Sequence, residues 1–178
     1  KNYRYRVTGP SGGRAVITKQ TARWVGAGLV AVEGLAALNR HARRTELYAE
    51  AQNRAKVAGR TLVVVGDPDA GAHTKLVRAY GCGDVCLDLN DCPRCAVSEA
   101  VDLTTQESRV PTDSAVVFVS CVLEYVADFQ TAWAEIMRMA GSSENVYVAV
   151  VQPWTLTAVF YPGAKYTVTE QGKGTEIS

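Results

Sequence analysis

From residue 61 to residue 151 the chain alternates short, mostly apolar runs with longer stretches of mixed polarity. "TLVVVG" (61–66), "DVCLDL" (84–89), "AVVFVSC" (115–121) and "NVYVAVV" (145–151) are continuous rather than alternating in hydrophobicity. That is the pattern of parallel strands covered on both faces. "EAVDL" (99–103) reads as a further short strand. Between these runs, 71–80 reads as a short helix. Residues 123–140 read as a longer one, with Val126, Phe129, Trp133, Ile136 and Met137 at helical spacing and Gly141 as its stop. Strands alternating with helices predict an α/β fold built on an open, mostly parallel sheet with flanking helices.

Upstream the pattern changes. Residues 20–58 read as one long helix, with Thr18 or Thr21 as candidate caps and Gly59 at the stop. Its first half, "WVGAGLVAVEGLAAL" (24–38), is apolar nearly all round, interrupted by Glu33. A bilayer span needs roughly twenty apolar residues, so a buried or interface-lying helix is expected rather than a span. The adjoining "RHARR" (40–44) suits an anionic lipid face. The second half gathers Leu47, Tyr48, Ala51 and Ala55 on one face, as an amphipathic helix does. Residues 1–19 read as a basic extended arm with a turn at 9–13, and 152–178 carry pattern for a strand or two. The expected organisation is a basic helical arm over 1–58 followed by an α/β domain over 59–178, with its core at 60–151.

Charge sharpens that division. The formal net charge is +1, but residues 1–60 hold twelve Lys and Arg against three acids, and 61–178 hold seven against fifteen. The basic arm has four candidate counterparts: an anionic membrane surface, a larger protein assembly, nucleic acid, or the acidic remainder of its own chain. No module interleaving basic and aromatic residues supports nucleic acid specifically. Five cysteines make an odd count and no signal peptide is visible, which favours an intracellular, reducing compartment, with membrane association left open through the arm. Four of them stand in "CGDVCLDLNDCPRC" (82–95). Four thiolates suit tetrahedral zinc, but this spacing is not a common finger and Cys86 falls inside a strand, so buried or free thiols are expected and no metal. His41 and His73 have no nucleophile partner in the pattern.

In an open α/β sheet, ligands bind outside the carboxyl ends of the strands near the switch in strand order. The first strand ends in Gly66, Asp67, Asp69 and Gly71, the second in Asp88, the third in Asp102, and the fourth in Ser120 and Cys121. Acids in those places suit a ligand that offers donors, such as ribose hydroxyls or an adenine amine, and suit a bare polyphosphate poorly. No GxxxxGK[ST] is present, so the turn is not a P-loop.

"VVVGDPDAG", "CLDLN", "AVDLT" and "VFVSCVLEYVADFQTAWAEIMRMAG", taken in that order, resemble the class I S-adenosylmethionine-dependent methyltransferases, whose fold is Rossmann-like. The last segment carries most of the likeness, with Tyr125 where the family commonly has His. The resemblance covers about residues 60–151 and implies S-adenosylmethionine as cofactor. It implies close backbone approach at Gly66 and Gly71 around the methionine part, ribose recognition by Asp88, an adenine contact at Asp102, and a floor made by Ser120 and Cys121. It implies no particular catalytic residue.

Val64 stands where the family usually has an acid for the cofactor's amino-acid end, and Pro68 sits within the loop. Asp67 and Asp69 are the candidates to supply that carboxylate from another position. Two functions follow: methyl transfer to an acceptor the sequence does not name, or a catalytically inactive methyltransferase-like domain acting as a structural or assembly component of a membrane-associated or larger complex. A nicotinamide-dependent oxidoreductase fits less well, because the turn is not GxGxxG.

Overall fold

A computed structural model describes Tyr5–Thr8, Arg14–Ile17, residues 19–70, residues 78–150, Val168–Gln171 and Gly174–Ile177. The chain divides into two compact units, Lys1–Leu38 and Asn39–Ser178. The first holds an antiparallel strand pair, β1 (Tyr5–Thr8) and β2 (Arg14–Ile17), and the beginning of a helix, α1 (Lys19–Ala58). The expected turn at 9–13 lies outside the described residues. The rest of α1 belongs with the second unit.

That unit is built on a five-stranded parallel sheet of β3 (Thr61–Val65), β4 (Val85–Asp88), β5 (Ser98–Ala100), β6 (Ala115–Ser120) and β7 (Val146–Ala149). Its order is β5-β4-β3-β6-β7. The chain runs outward from β3 through β4 to β5, then returns to the other side of β3. The fold is therefore the expected α/β, Rossmann-like one, with its switch point between β3 and β6.

The apolar runs explain the sheet's two buried faces, because side chains alternate along a strand. Leu62, Val64, Val116 and Phe118 pack on one face against Leu47, Ala51 and Ala55 of α1, with Tyr80 joining them. Val63, Val65, Leu87, Val117 and Val119 fill the other, under Ala132, Ile136, Met139 and Ala140 of α2 (Phe129–Ala140). Tyr48 and Tyr80 close around Phe118 with ring centroids 5.5 and 5.1 Å from it. Gly59 ends α1 in the left-handed conformation (φ 63°), as expected from its place after Ala58.

Two helix expectations need correction. The second helix begins at Phe129, not at residue 123, because Asp128 takes an extended conformation and its side chain accepts from the backbone N–H of Thr131. An N-cap of that kind fixes the start regardless of apolar spacing further upstream, so Val126 precedes the helix. Of the helix expected at 71–80, residues 78–80 are non-helical and 71–77 lie outside the described residues. A last antiparallel pair, β8 (Val168–Gln171) and β9 (Gly174–Ile177), occupies the C-terminal stretch where a strand or two were expected.

Candidate functional site

Register brings the strand ends into one row. Val65 pairs with Leu87 on β4 and with Val119 on β6, so Gly66, Asp88 and Ser120 come next along the carboxyl edge. Gly66 leaves β3 with φ 104°, and its N–H donates to the Leu87 carbonyl at 2.8 Å. A Cβ there would lie 2.8 Å from the Ser120 carbonyl oxygen and 3.0 Å from Val122 Cγ2. The position thus requires glycine for the sheet's own packing, whatever a ligand asks of it.

The loop beyond Gly66 is held by its own polar groups. The Asp67 N–H donates to Asp88 Oδ2 at 2.8 Å, and the Asp69 N–H donates to Asp67 Oδ1 at 2.9 Å. Pro68 is fully buried. Arg78 grips Asp69 through both carboxylate oxygens, with Nε 2.9 Å from Oδ1. That hydrogen bond holds the Asp69 carboxyl below its ordinary pKa. From beneath, the Tyr80 hydroxyl lies 3.3 Å from the Asp67 carbonyl oxygen, and burial pushes its pKa up to about 12.

A cavity of about 330 Å³ opens beside this row, within the range of small-molecule sites. Asp88, Asp102 and Cys121 line it together, with an apolar wall that includes Leu87, Leu89, Val101 and Leu103, and with Tyr125 from the segment after β6. The expected acids of the second and third strands therefore share one concavity with the expected cysteine. Gly66 and Ser120 pack against each other and, like Asp67 and Asp69, which are turned into the loop network, are not part of its lining. Gly71 lies outside the described residues. Val64 is completely buried in the sheet, so no acid reaches the site from that position.

The two cavity acids are already oriented. Asp88 accepts from the Asp67 N–H through Oδ2 and from the Asn90 N–H through Oδ1 at 3.1 Å. Asp102 Oδ1 accepts from the Thr104 hydroxyl at 2.6 Å and from the Thr104 N–H at 2.9 Å. Those bonds hold the Asp102 carboxyl below its usual range, the hydroxyl contributing most. Each carboxylate oxygen has two acceptor directions, so both acids keep capacity for a ligand's donors.

Cys121 is the distinctive residue of the site. Its backbone is left-handed (φ 52°), an uncommon conformation for a side chain with a Cβ, and its N–H donates to the Ala149 carbonyl at 2.8 Å. Its thiol is the unpaired one, and burial pushes its pKa up to about 11 against the opposing charge of Arg44. Arg44 Nη2 contacts Cys121 Sγ. In the sequence Arg44 stands in the basic run "RHARR", and the amphipathic phase set by Leu47 and Ala51 is the signal that this arginine turns toward the sheet.

Elsewhere the cysteines depart from expectation. Cys82 pairs with Cys95 and Cys86 with Cys92 as disulfides, with Cα atoms 5.5 and 6.4 Å apart, both ordinary spacings. The odd count left one thiol over instead of excluding disulfides. Among the described residues no helix is long and apolar enough to cross a membrane. Comparison of the chain with family models, curated proteins and solved structures gives no match.

Proposed function

We propose that the chain is an S-adenosylmethionine-dependent methyltransferase. The observation that carries this reading is the cavity at the carboxyl edge of a Rossmann-like sheet in which Asp88 and Asp102, on neighbouring strand ends, face an apolar wall. Asp88 would accept from the ribose hydroxyls and Asp102 from the adenine amine, with Leu87, Leu89, Val101 and Leu103 against the base. The adenosine half of the cofactor therefore fits the residues present. At the amino-acid end the usual acid is replaced by the buried Val64, and Asp69 is committed to Arg78. The backbone N–H groups of the Gly66 turn are also engaged, that of Gly66 with Leu87 and that of Asp67 with Asp88, so the adenosine half carries the fit.

When bound, the cofactor supplies an electrophilic methyl group on a sulfonium sulfur. The protein's part is then to hold donor and acceptor in line and exclude water, which can supply most of the acceleration without an acid or base. Cys121, protonated at neutral pH, is suited to lining the floor and not to accepting a proton. Titration calorimetry with S-adenosylmethionine and S-adenosylhomocysteine tests the reading. One-site binding weakened by Asp88→Ala supports it; no heat with either at millimolar concentration overturns it.

A second reading has its own support. Trp24, Val30, Leu35 and Leu38 on the first half of α1 are 71%, 74%, 68% and 68% exposed. That exposure favours an inactive methyltransferase-like component that docks through its basic, apolar arm on an anionic membrane or a larger assembly. Co-sedimentation with anionic vesicles separates the membrane form of this reading. Leu35→Lys with Leu38→Lys should abolish pelleting, and equal recovery of variant and parent would remove its support.

A further inference from the structure

We propose that Cys82, Cys86, Cys92 and Cys95 form a zinc–thiolate centre in the reduced protein, which the two disulfides replace when the chain is oxidised. The cysteines do not make two separate staples. The sulfurs of Cys86, Cys92 and Cys95 lie within 4.8 Å of one another although they belong to different disulfides, and Cys95 brings the Cys82 sulfur with it. Tetrahedral zinc with bonds near 2.3 Å spaces its thiolates about 3.8 Å apart. Three sulfurs are thus already gathered, and the fourth, on Cys82, is bonded to one of them.

The backbone is arranged for the same end. Cys92-Pro-Arg-Cys95 forms a tight turn in which the Cys95 N–H donates to the Cys92 carbonyl at 3.0 Å. A second pair comes from the opposite side, with Cys86 held in β4 and Cys82 in the loop before it. Cys86 and Cys92 are fully buried while Cys82 and Cys95 are half-buried, so one side of the centre would be shielded from solvent. The nearby carboxylates are occupied: Asp84 accepts from the Leu62 N–H at 2.7 Å, and Asp91 accepts from the Ser98 hydroxyl. The donor set is thus sulfur alone, which selects zinc over the hard cations.

The conversion balances. Each disulfide takes two electrons and two protons from a dithiol reductant, which closes into its own disulfide, and four thiols result. Zinc then binds as four S–Zn bonds form and four thiol protons leave for solvent.

The test uses the full chain, reduced anaerobically, incubated with zinc chloride and desalted, with metal measured by mass spectrometry and fold by circular dichroism. About one zinc per chain is expected, and cobalt in its place should give the absorption of a tetrahedral thiolate site. Cys92→Ser and Cys95→Ser should each reduce retained zinc severalfold, while Cys121→Ser retains it. A reduced chain that stays folded but holds no zinc overturns the proposal. So does one that unfolds on reduction and is not restored by zinc, or one that retains iron in place of zinc.

Discussion

Replacing Gly66 by alanine perturbs the junction on which the candidate site depends. The residue's φ of 104° lies where L side chains are strained, and a Cβ would come 2.8 Å from the Ser120 carbonyl and 3.0 Å from Val122 Cγ2. The first contact is to backbone of the interior strand β6, which cannot rotate aside, so the sheet edge itself must shift. Backbone strain of about 1–3 kcal/mol and a comparable overpacking penalty give a loss of about 2–6 kcal/mol. For a chain of this size that corresponds to a fall in Tm of about 4–24 °C. Gly59→Ala is the matched control: φ is 63° but nothing lies within 4 Å of the added Cβ, so only the left-handed penalty of about 1–2 kcal/mol applies. Urea unfolding of the three proteins, followed by far-UV circular dichroism, separates the two effects. If Gly66→Ala loses no more stability than Gly59→Ala, the close approach to β6 is not felt and the account of this turn is wrong.

Other outcomes follow from the same geometry. Asp88→Ala should weaken S-adenosylmethionine binding by about 10–100-fold, the worth of charged hydrogen bonds to ligand hydroxyls. It should also loosen the Asp67 turn, seen as faster amide exchange at residue 67; unchanged affinity would place the ribose elsewhere. Burial alone would raise the pKa of Glu135, but hydrogen bonds from Arg138 and from the Ser108 N–H and hydroxyl outweigh it and lower the pKa. The stability this provides is present above the carboxyl's unfolded value and is lost as pH falls through the folded one. Glu135→Gln should therefore cost about 1–3 kcal/mol at neutral pH and flatten the decline below pH ~4.5; identical acid limbs in the two proteins would refute this. With its pKa near 11, Cys121 is about one part in a thousand thiolate at pH 8. Iodoacetamide should label it at least ~100-fold more slowly than free cysteine, and labelling at the free rate would mean an open, ionised thiol.

The sheet was legible because strands covered on both faces leave little choice of residue: the runs at 61–66, 84–89, 115–121 and 145–151 each contain a strand of the parallel sheet. The placement of Asp88, Asp102 and Cys121 in one cavity was legible for the same reason, since strand ends determine which residues meet at the carboxyl edge. What escaped depended on contacts that periodicity does not encode. The start of α2 is set by a single side-chain bond from the Thr131 N–H to Asp128, within a stretch whose apolar spacing continues upstream. Arg44 reads as one charge in a basic run until helix phase turns it onto Cys121. Asp69 looked free to meet a ligand, and Arg78, nine residues further on, takes both its oxygens. The pairing of Cys82 with Cys95 and Cys86 with Cys92 depends on the path of the loop between β4 and β5, which spacing alone does not determine.

Calorimetric titration of the intact chain with S-adenosylmethionine, repeated with S-adenosylhomocysteine, tests the central claim most directly. The account predicts saturable binding of both at one site per chain, weakened when Asp88 or Asp102 is replaced by alanine. An absence of heat with both ligands at millimolar concentration, from a chain that is folded by circular dichroism, would contradict it.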